Sequence, residues 1–392
     1  MDFNEKSLIL HEEKVGKIQV ASKVTIQNRE DLSLAYTPGV AEPCRQIHKN
    51  KEDVYKYTAK GNLVAVVTDG TAVLGLGDIG PEAAMPVMEG KAILFKEFAN
   101  VDAFPICLDT KDVDEIVKTV KMIAPTFGGI NLEDISAPRC FQIEERLKAD
   151  LDIPIFHDDQ HGTAIVTIAG IINALKLTNK TIEDVSIVIN GSGAAGVAIA
   201  KMLKNMNPKD MLLCDSKGIV YAGNPGNNEY KEEVAQITNK YNKKGTLKDA
   251  MVDSDIFIGV SAPEVVTEEM VKSMKEDAII FAMANPIPEI MPDLALKAGA
   301  KVVGSGRSDF PNQINNLLAF PGIFRGALDV RAREINEEMK LAAAYAIADI
   351  IDESQLKADY VIPEVFDVRV VDKVAAAVSK AAKDTGVASI QL

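Results

Sequence analysis

A run of β-branched residues, Val185-Ser-Ile-Val-Ile-Asn190, passes directly into Gly191-Ser-Gly193-Ala-Ala-Gly196, and the apolar helical stretch Val197-Ala-Ile-Ala-Lys-Met-Leu203 follows at once. A strand, a G-x-G-x-x-G turn and a helix in that order open a βαβ dinucleotide-binding unit, which commits this part of the chain to a parallel sheet with crossover helices. Gly191 permits the tight turn after Asn190, and Gly193 lets backbone approach a pyrophosphate. Gly196 lets the helix pack close to the strand, and the backbone of Ala194 and Ala195 begins a helix whose N-terminus favours an anion. The next strand ends at Asp215, 19 residues after Gly196, where a carboxylate can accept hydrogen bonds from a ribose. The alternative is a purely structural glycine turn. Asp215 favours NAD, whereas Ser216 and Lys217 behind it leave NADP open.

Elsewhere Val- and Ile-rich runs alternate with 3.6-periodic segments, so the expected class is α/β with two domains. Residues 1–160 are expected to form an α/β substrate and metal domain. Residues 161–392 are expected to form a Rossmann-type domain with C-terminal helices. Strands are expected at 63–67, 103–108, 129–132 and 153–156 in the first part, and at 185–189, 211–214, 255–260, 278–284 and 301–303 in the second. Helices are expected at 82–98, 162–176 and 331–351. Each early strand runs into acid: Asp69, Asp109, Glu133 with Asp134, and Asp158 with Asp159. Open α/β sheets bind ligands beyond the carboxyl ends of their strands, although Asp there also serves as a helix N-cap.

Charge and cysteine usage exclude several classes. Lys plus Arg number 43 against 57 Asp plus Glu, a net charge of −14 with no local basic patch, which argues against nucleic acid or an anionic membrane as partner. Cys44, Cys107, Cys140 and Cys214 form no C-x-x-C pair, as expected of reduced thiols. The opening residues lack the basic-then-apolar order of a signal peptide, and the most apolar stretch, 164–177, is too short and interrupted to span a bilayer. The expectation is a cytoplasmic protein with a buried helix at that place.

Three groupings carry chemistry. Glu133, Asp134 and Asp159 are hard oxygen donors from two strand ends, suited to Mg²⁺ or Mn²⁺ with room for a chelating substrate. His157 and His161 have zinc-like i,i+4 spacing, but they are expected at a strand end as ordinary hydrogen-bonded histidines. Lys91 shares a helix face with Ala84, Val87, Met88, Leu94 and Phe95. Burial there would lower its pKa and make it a general base, unless its ammonium snorkels to the helix edge. Tyr36 precedes a Thr-Pro-Gly turn, as a cleft residue or an ordinary packed tyrosine.

The ordered blocks Tyr36-Thr-Pro-Gly-Val, Val67-Thr-Asp-Gly70, Leu74-Gly-Leu-Gly-Asp78, Asn131-Leu-Glu-Asp134, His157-Asp-Asp-Gln-His-Gly-Thr163 and Phe320-Pro-Gly322 resemble malic enzyme, in its small bacterial form, over nearly the whole chain. The resemblance implies oxidative decarboxylation of (S)-malate to pyruvate and CO₂ with NAD or NADP and Mn²⁺ or Mg²⁺, in a homodimer. It implies Lys91 as base for the C2 hydroxyl, Tyr36 as the acid that protonates the enol, and Asp158 as the group that orients the lysine. Glu133, Asp134 and Asp159 become metal ligands, and Asn285 and Asn315 hold substrate. Thr163, Asn190, Ser261 and Asn285 join the glycine turn and Asp215 around the cofactor. One position departs from the larger members, Ala72 standing where they carry an arginine. The alternatives are a malolactic enzyme, which retains the cofactor and makes lactate, and a catalytically silent dinucleotide-binding regulator.

Overall fold

A computed structural model describes residues 2–390. The Val-rich run Leu63–Thr68 forms β1, which pairs in parallel with β2 (Asp102–Cys107) and β3 (Gly129–Leu132), while β3 pairs with β4 (Ile155–His157). The order is β2-β1-β3-β4. Val64 to Val67 are fully buried, as an unbroken apolar run requires when helices cover both faces of a sheet.

The second sheet contains β5 (Ser186–Asn190), β6 (Asp210–Asp215), β7 (Gly218–Ile219), β8 (Ile256–Gly259), β9 (Ile279–Ala282) and β10 (Val302–Ser305). Its order is β10-β9-β8-β5-β6-β7, all parallel except β7, which returns on β6 through a hairpin too short to leave a periodic trace in the sequence. The order reverses direction at β5, so the crevice between the ends of β5 and β8 is the topological switch point where open sheets take ligands.

Three helices place the chemistry. The helix Asp158–Thr178 starts directly after β4 instead of at the expected residue 162, so Asp158 and Asp159 form its first turn. Its apolar body is buried in the core, as expected for 164–177. The helix Pro81–Ala99 carries Lys91 on its buried face. The helix Phe320–Asp329 sets Phe320 and Phe324 edge-on to Phe95, with ring centroids 4.8 and 5.2 Å away, which brings the C-terminal part of the chain under the first sheet. The segment expected as one helix over 331–351 is shorter, Glu337–Ala348, because Asn336 caps it through the Met339 N–H and Arg331 takes a left-handed conformation.

Candidate active site

The carboxyl ends of β3 and β4, the helix Pro81–Ala99 and the glycine turn after β5 enclose one cavity of about 1020 Å³. Lys91 is 8 % exposed and lies in it with its Nζ 2.6 Å from Asp158 Oδ2, 2.9 Å from Glu133 Oε1 and 4.3 Å from the centre of the Phe320 ring. The lysine does not snorkel. Nor is it depressed, as burial alone would make it: burial pushes its pKa down, but the Asp158 and Glu133 carboxylates outweigh that loss and hold the ammonium protonated. The sequence expectation of a lowered pKa therefore fails, because both counter-charges come from remote elements.

Asp158 is fully buried, and burial raises its pKa to about 6 against the opposing pull of Lys91. Asn316, which the sequence did not single out, donates to the same Asp158 oxygen. Four residues on, Gly162 lacks the Cβ that would collide with Asp158 Oδ1, so glycine is what lets this carboxylate fold back over its own helix. Asn131 donates to Glu133 Oε2 at 2.7 Å.

Glu133, Asp134 and Asp159 present oxygens that all lie within 4.8 Å of one another. Asp134 leaves the strand with φ 53°, and its N–H donates to Asp159 Oδ2 at 2.8 Å, so the loop geometry that two adjacent acids need to converge is present. Burial together with Asp159 and Glu133 pushes the Asp134 carboxyl up to about 9, and its Oδ2 is buried without a hydrogen-bond partner among the described residues. An all-oxygen donor set that cannot ionise together fits a hard divalent cation.

The histidines form no zinc pair. His161 Nε2 reaches Glu144 at 2.8 Å as a hydrogen-bonded histidine should, whereas His157, contrary to that expectation, is buried with neither ring nitrogen hydrogen-bonded among the described residues and its Nε2 3.4 Å from Asp159. Asp158-Asp159-Gln160 lies inside the helix, contrary to the expected strand end. Asp69 belongs to a separate anchor, bonded to Arg139 and Thr71.

Thr163, Gly193, Ala194, Ala195, Ser261, Asn285 and Asn315 line the same cavity, so the glycine turn opens toward Lys91. Asn315 uses its Oδ1 to cap Leu317. At the turn, a Cβ on Gly191 (φ 125°) would strike the Val260 carbonyl, and one on Gly196 the Gly191 carbonyl, which accounts for both glycines. Asn190 donates to Ser261 Oγ at 2.7 Å, and the fully buried Glu289, not foreseen, accepts the Ser261 N–H at 2.8 Å.

An adjoining cavity of about 470 Å³ is bordered by Asn190, Gly191, Asp215, Lys217 and Lys231. Lys231, also unforeseen, meets Asp215 at 2.7 Å. Partial burial would raise the Asp215 carboxyl, yet Lys231 and the Lys217 N–H hold it below its ordinary value. Tyr36 stands apart. It caps the helix Arg29–Ala35, is 66 % exposed, and is not among the residues lining either cavity.

Residues 15–148 match the malic enzyme N-terminal domain and residues 160–383 the malic enzyme NAD-binding domain. The chain is 64 % identical over 391 residues to a bifunctional malic/malolactic enzyme of Bacillus subtilis, covering all of this chain and 95 % of that one. It is 58 % identical to an NAD-dependent malic enzyme of Geobacillus stearothermophilus, covering 99 % and 80 %. The crystal structure of malic enzyme from Pyrococcus horikoshii superposes with a TM-score of 0.96 at 47 % identity, over all of this chain and 93 % of that one. A nucleotide crevice opening onto a buried lysine and a carboxylate trio, in a chain matched this fully, makes it a member of the malic enzyme family and an oxidoreductase.

Proposed function

We propose that the chain oxidises (S)-malate at C2 with NAD and releases pyruvate and CO₂, using Mn²⁺ or Mg²⁺ held by Glu133, Asp134 and Asp159. The observation that carries this reading is the single cavity shared by Lys91, the three carboxylates, the glycine turn and Asn285. When bound, the dinucleotide supplies the hydride acceptor and the cation a Lewis acid for developing enolate charge. Lys91 removes the C2 hydroxyl proton, and Asp158, 2.6 Å from its Nζ, keeps that atom aimed into the cavity. Asn285 and Asn315 supply amide groups to the substrate, and Tyr36 protonates C3 of the enol.

NAD is the favoured dinucleotide because Asp215 faces the ribose site. Its charge is balanced by Lys231, which gives a 2′-phosphate a cation to meet, so NADP serves as a weaker cofactor.

We further propose a homodimer in which Tyr36 serves the partner's cavity. The helix Phe3–Lys14 has no buried residue, and Phe3, Leu8, Val20, Ile26 and Leu34 are all exposed in the single chain. Such an apolar surface is buried most simply by a second copy.

The Bacillus subtilis relative's name favours one second reading, malolactic turnover with retained cofactor. Incubation with malate, Mn²⁺ and excess NAD separates the two: stoichiometric NADH and pyruvate are expected, and stoichiometric lactate without net NADH would overturn the main reading.

A further inference from the structure

A dicarboxylate entering the main cavity needs a cation, and Glu133, Asp134 and Asp159 make the cavity acidic. Among the described residues three basic side chains border it: His11, Lys17 and Lys91. Lys91 is already shared between two carboxylates. Ala72 borders the cavity without offering charge. Lys17 differs from Lys91 in that its ammonium is hydrogen-bonded to neutral acceptors, with burial lowering its pKa and the Glu89 carboxylate opposing that from beyond ion-pair distance.

The bonding around Lys17 reads as a built mount. His11 Nδ1 lies 2.7 Å from the Ser7 carbonyl and so donates to it, which leaves Nε2 as the acceptor for Lys17 Nζ at 2.8 Å. The same ammonium donates to the Pro86 carbonyl at 2.6 Å. Two of its three hydrogens are thus engaged, and one remains for a ligand. The Lys17 main-chain N–H is pinned by Glu89 Oε2 at 2.8 Å across 72 residues of sequence. Gly90 lies beside the ammonium, its missing Cβ position 3.6 Å from Nζ, which places Lys17 against the residue preceding Lys91 in the chain.

We infer that Lys17 is a substrate-binding residue that receives a carboxylate of the dicarboxylate substrate, with His11 and Pro86 as its mount. Lys17 thereby confers selectivity for a dicarboxylate over a hydroxy acid with a single carboxylate. The inference rests on the reading of this cavity as the malate site.

The test is calorimetric titration of malate into enzyme holding Mn²⁺ and NADH, a complex that cannot turn over, alongside steady-state kinetics. Lys17→Met should weaken malate binding and raise its KM by about 10- to 100-fold, the range for losing a charged hydrogen bond, with kcat changed far less. Affinities for NADH and Mn²⁺ should stay at wild-type values, and Lys17→Arg should restore most of the malate affinity. Unchanged malate affinity in Lys17→Met, or an equal loss of malate, NADH and Mn²⁺ binding, would overturn the assignment. Wild-type enzyme that fails to bind or oxidise malate would instead refute the reading of the cavity itself.

Discussion

Asp134→Asn should make the metal-free protein more stable while removing its response to metal. In the fold, burial and the neighbouring Asp159 and Glu133 carboxylates push Asp134 up to about 9, against an unfolded value of about 3.9. Between those two pH values the native state binds a proton that the unfolded chain does not, so native stability falls as pH rises through that window. At pH 7 the gap is about three units, a gross cost of about 4 kcal/mol at about 1.36 kcal/mol per unit. The amide replaces a carboxyl that is already neutral in the fold and cannot donate the acid proton, and neighbouring groups readjust, so the net gain expected for the amide is about 1–2 kcal/mol. For a chain of 392 residues that corresponds to about 1–2 °C in Tm. Thermal melts in EDTA from pH 5 to pH 8 should show the Asn variant gaining little at pH 5 and most at pH 8. Added Mn²⁺ should raise the wild-type Tm and leave the variant nearly unmoved. A variant equal to or below wild type at pH 8 in EDTA would refute the argument that the trio is mutually repulsive.

Lys91→Ala should lower malate oxidation by about 10²- to 10⁴-fold while largely sparing oxaloacetate decarboxylation, because the base is needed only for the hydroxyl proton. Equal loss of both partial reactions with an intact fold would contradict that role. Mixing Lys91→Ala with Tyr36→Phe subunits tests where Tyr36 acts: if it serves the partner, mixed dimers regain one intact site, about a quarter of wild-type activity at full exchange, and if it serves its own chain, nothing returns. Lys231→Ala should leave NAD kinetics within about twofold and raise the KM for NADP by about tenfold or more, since Asp215 then faces the 2′-phosphate unbalanced. An unchanged NADP/NAD ratio would remove Lys231 from cofactor choice.

The sheets were legible because parallel strands buried on both faces must be continuous apolar runs, and Val64–Val67 and Ile187–Ile189 are such runs. The start of the helix Asp158–Thr178 was not. His157 at its N-cap makes no capping hydrogen bond, so no local signal marks the boundary and Asp158 reads as a strand end. Burial of Lys91 followed from its spacing to Met88 and Leu94, but the sign of its pKa shift depends on Glu133 and Asp158, which lie 42 and 67 residues away along the chain. Lys17, Lys231, Glu289 and Asn316 were missed for the same reason: each matters through a partner at long sequence separation, or in a loop without periodicity. Tyr36 shows the complementary limit. Its Thr-Pro-Gly turn is visible in the sequence, but a turn does not say which cavity, in which copy, the ring will face.

Glu133 links the proposed metal centre to the proposed base. One of its oxygens meets Lys91 at 2.9 Å and the other accepts from Asn131 at 2.7 Å, so in the structure it is fully engaged as a counter-ion. A lysine held protonated by two carboxylates cannot accept a hydroxyl proton. A cation held by Glu133, Asp134 and Asp159 would draw Glu133 away from Lys91 and leave Asp158, the closer and stronger of its two counter-charges, to hold the ammonium. Burial would then oppose the ammonium against one counter-charge instead of two. One carboxylate thus belongs to both proposed sites, so a change at Asp134 or Asp159 reaches Lys91 through Glu133.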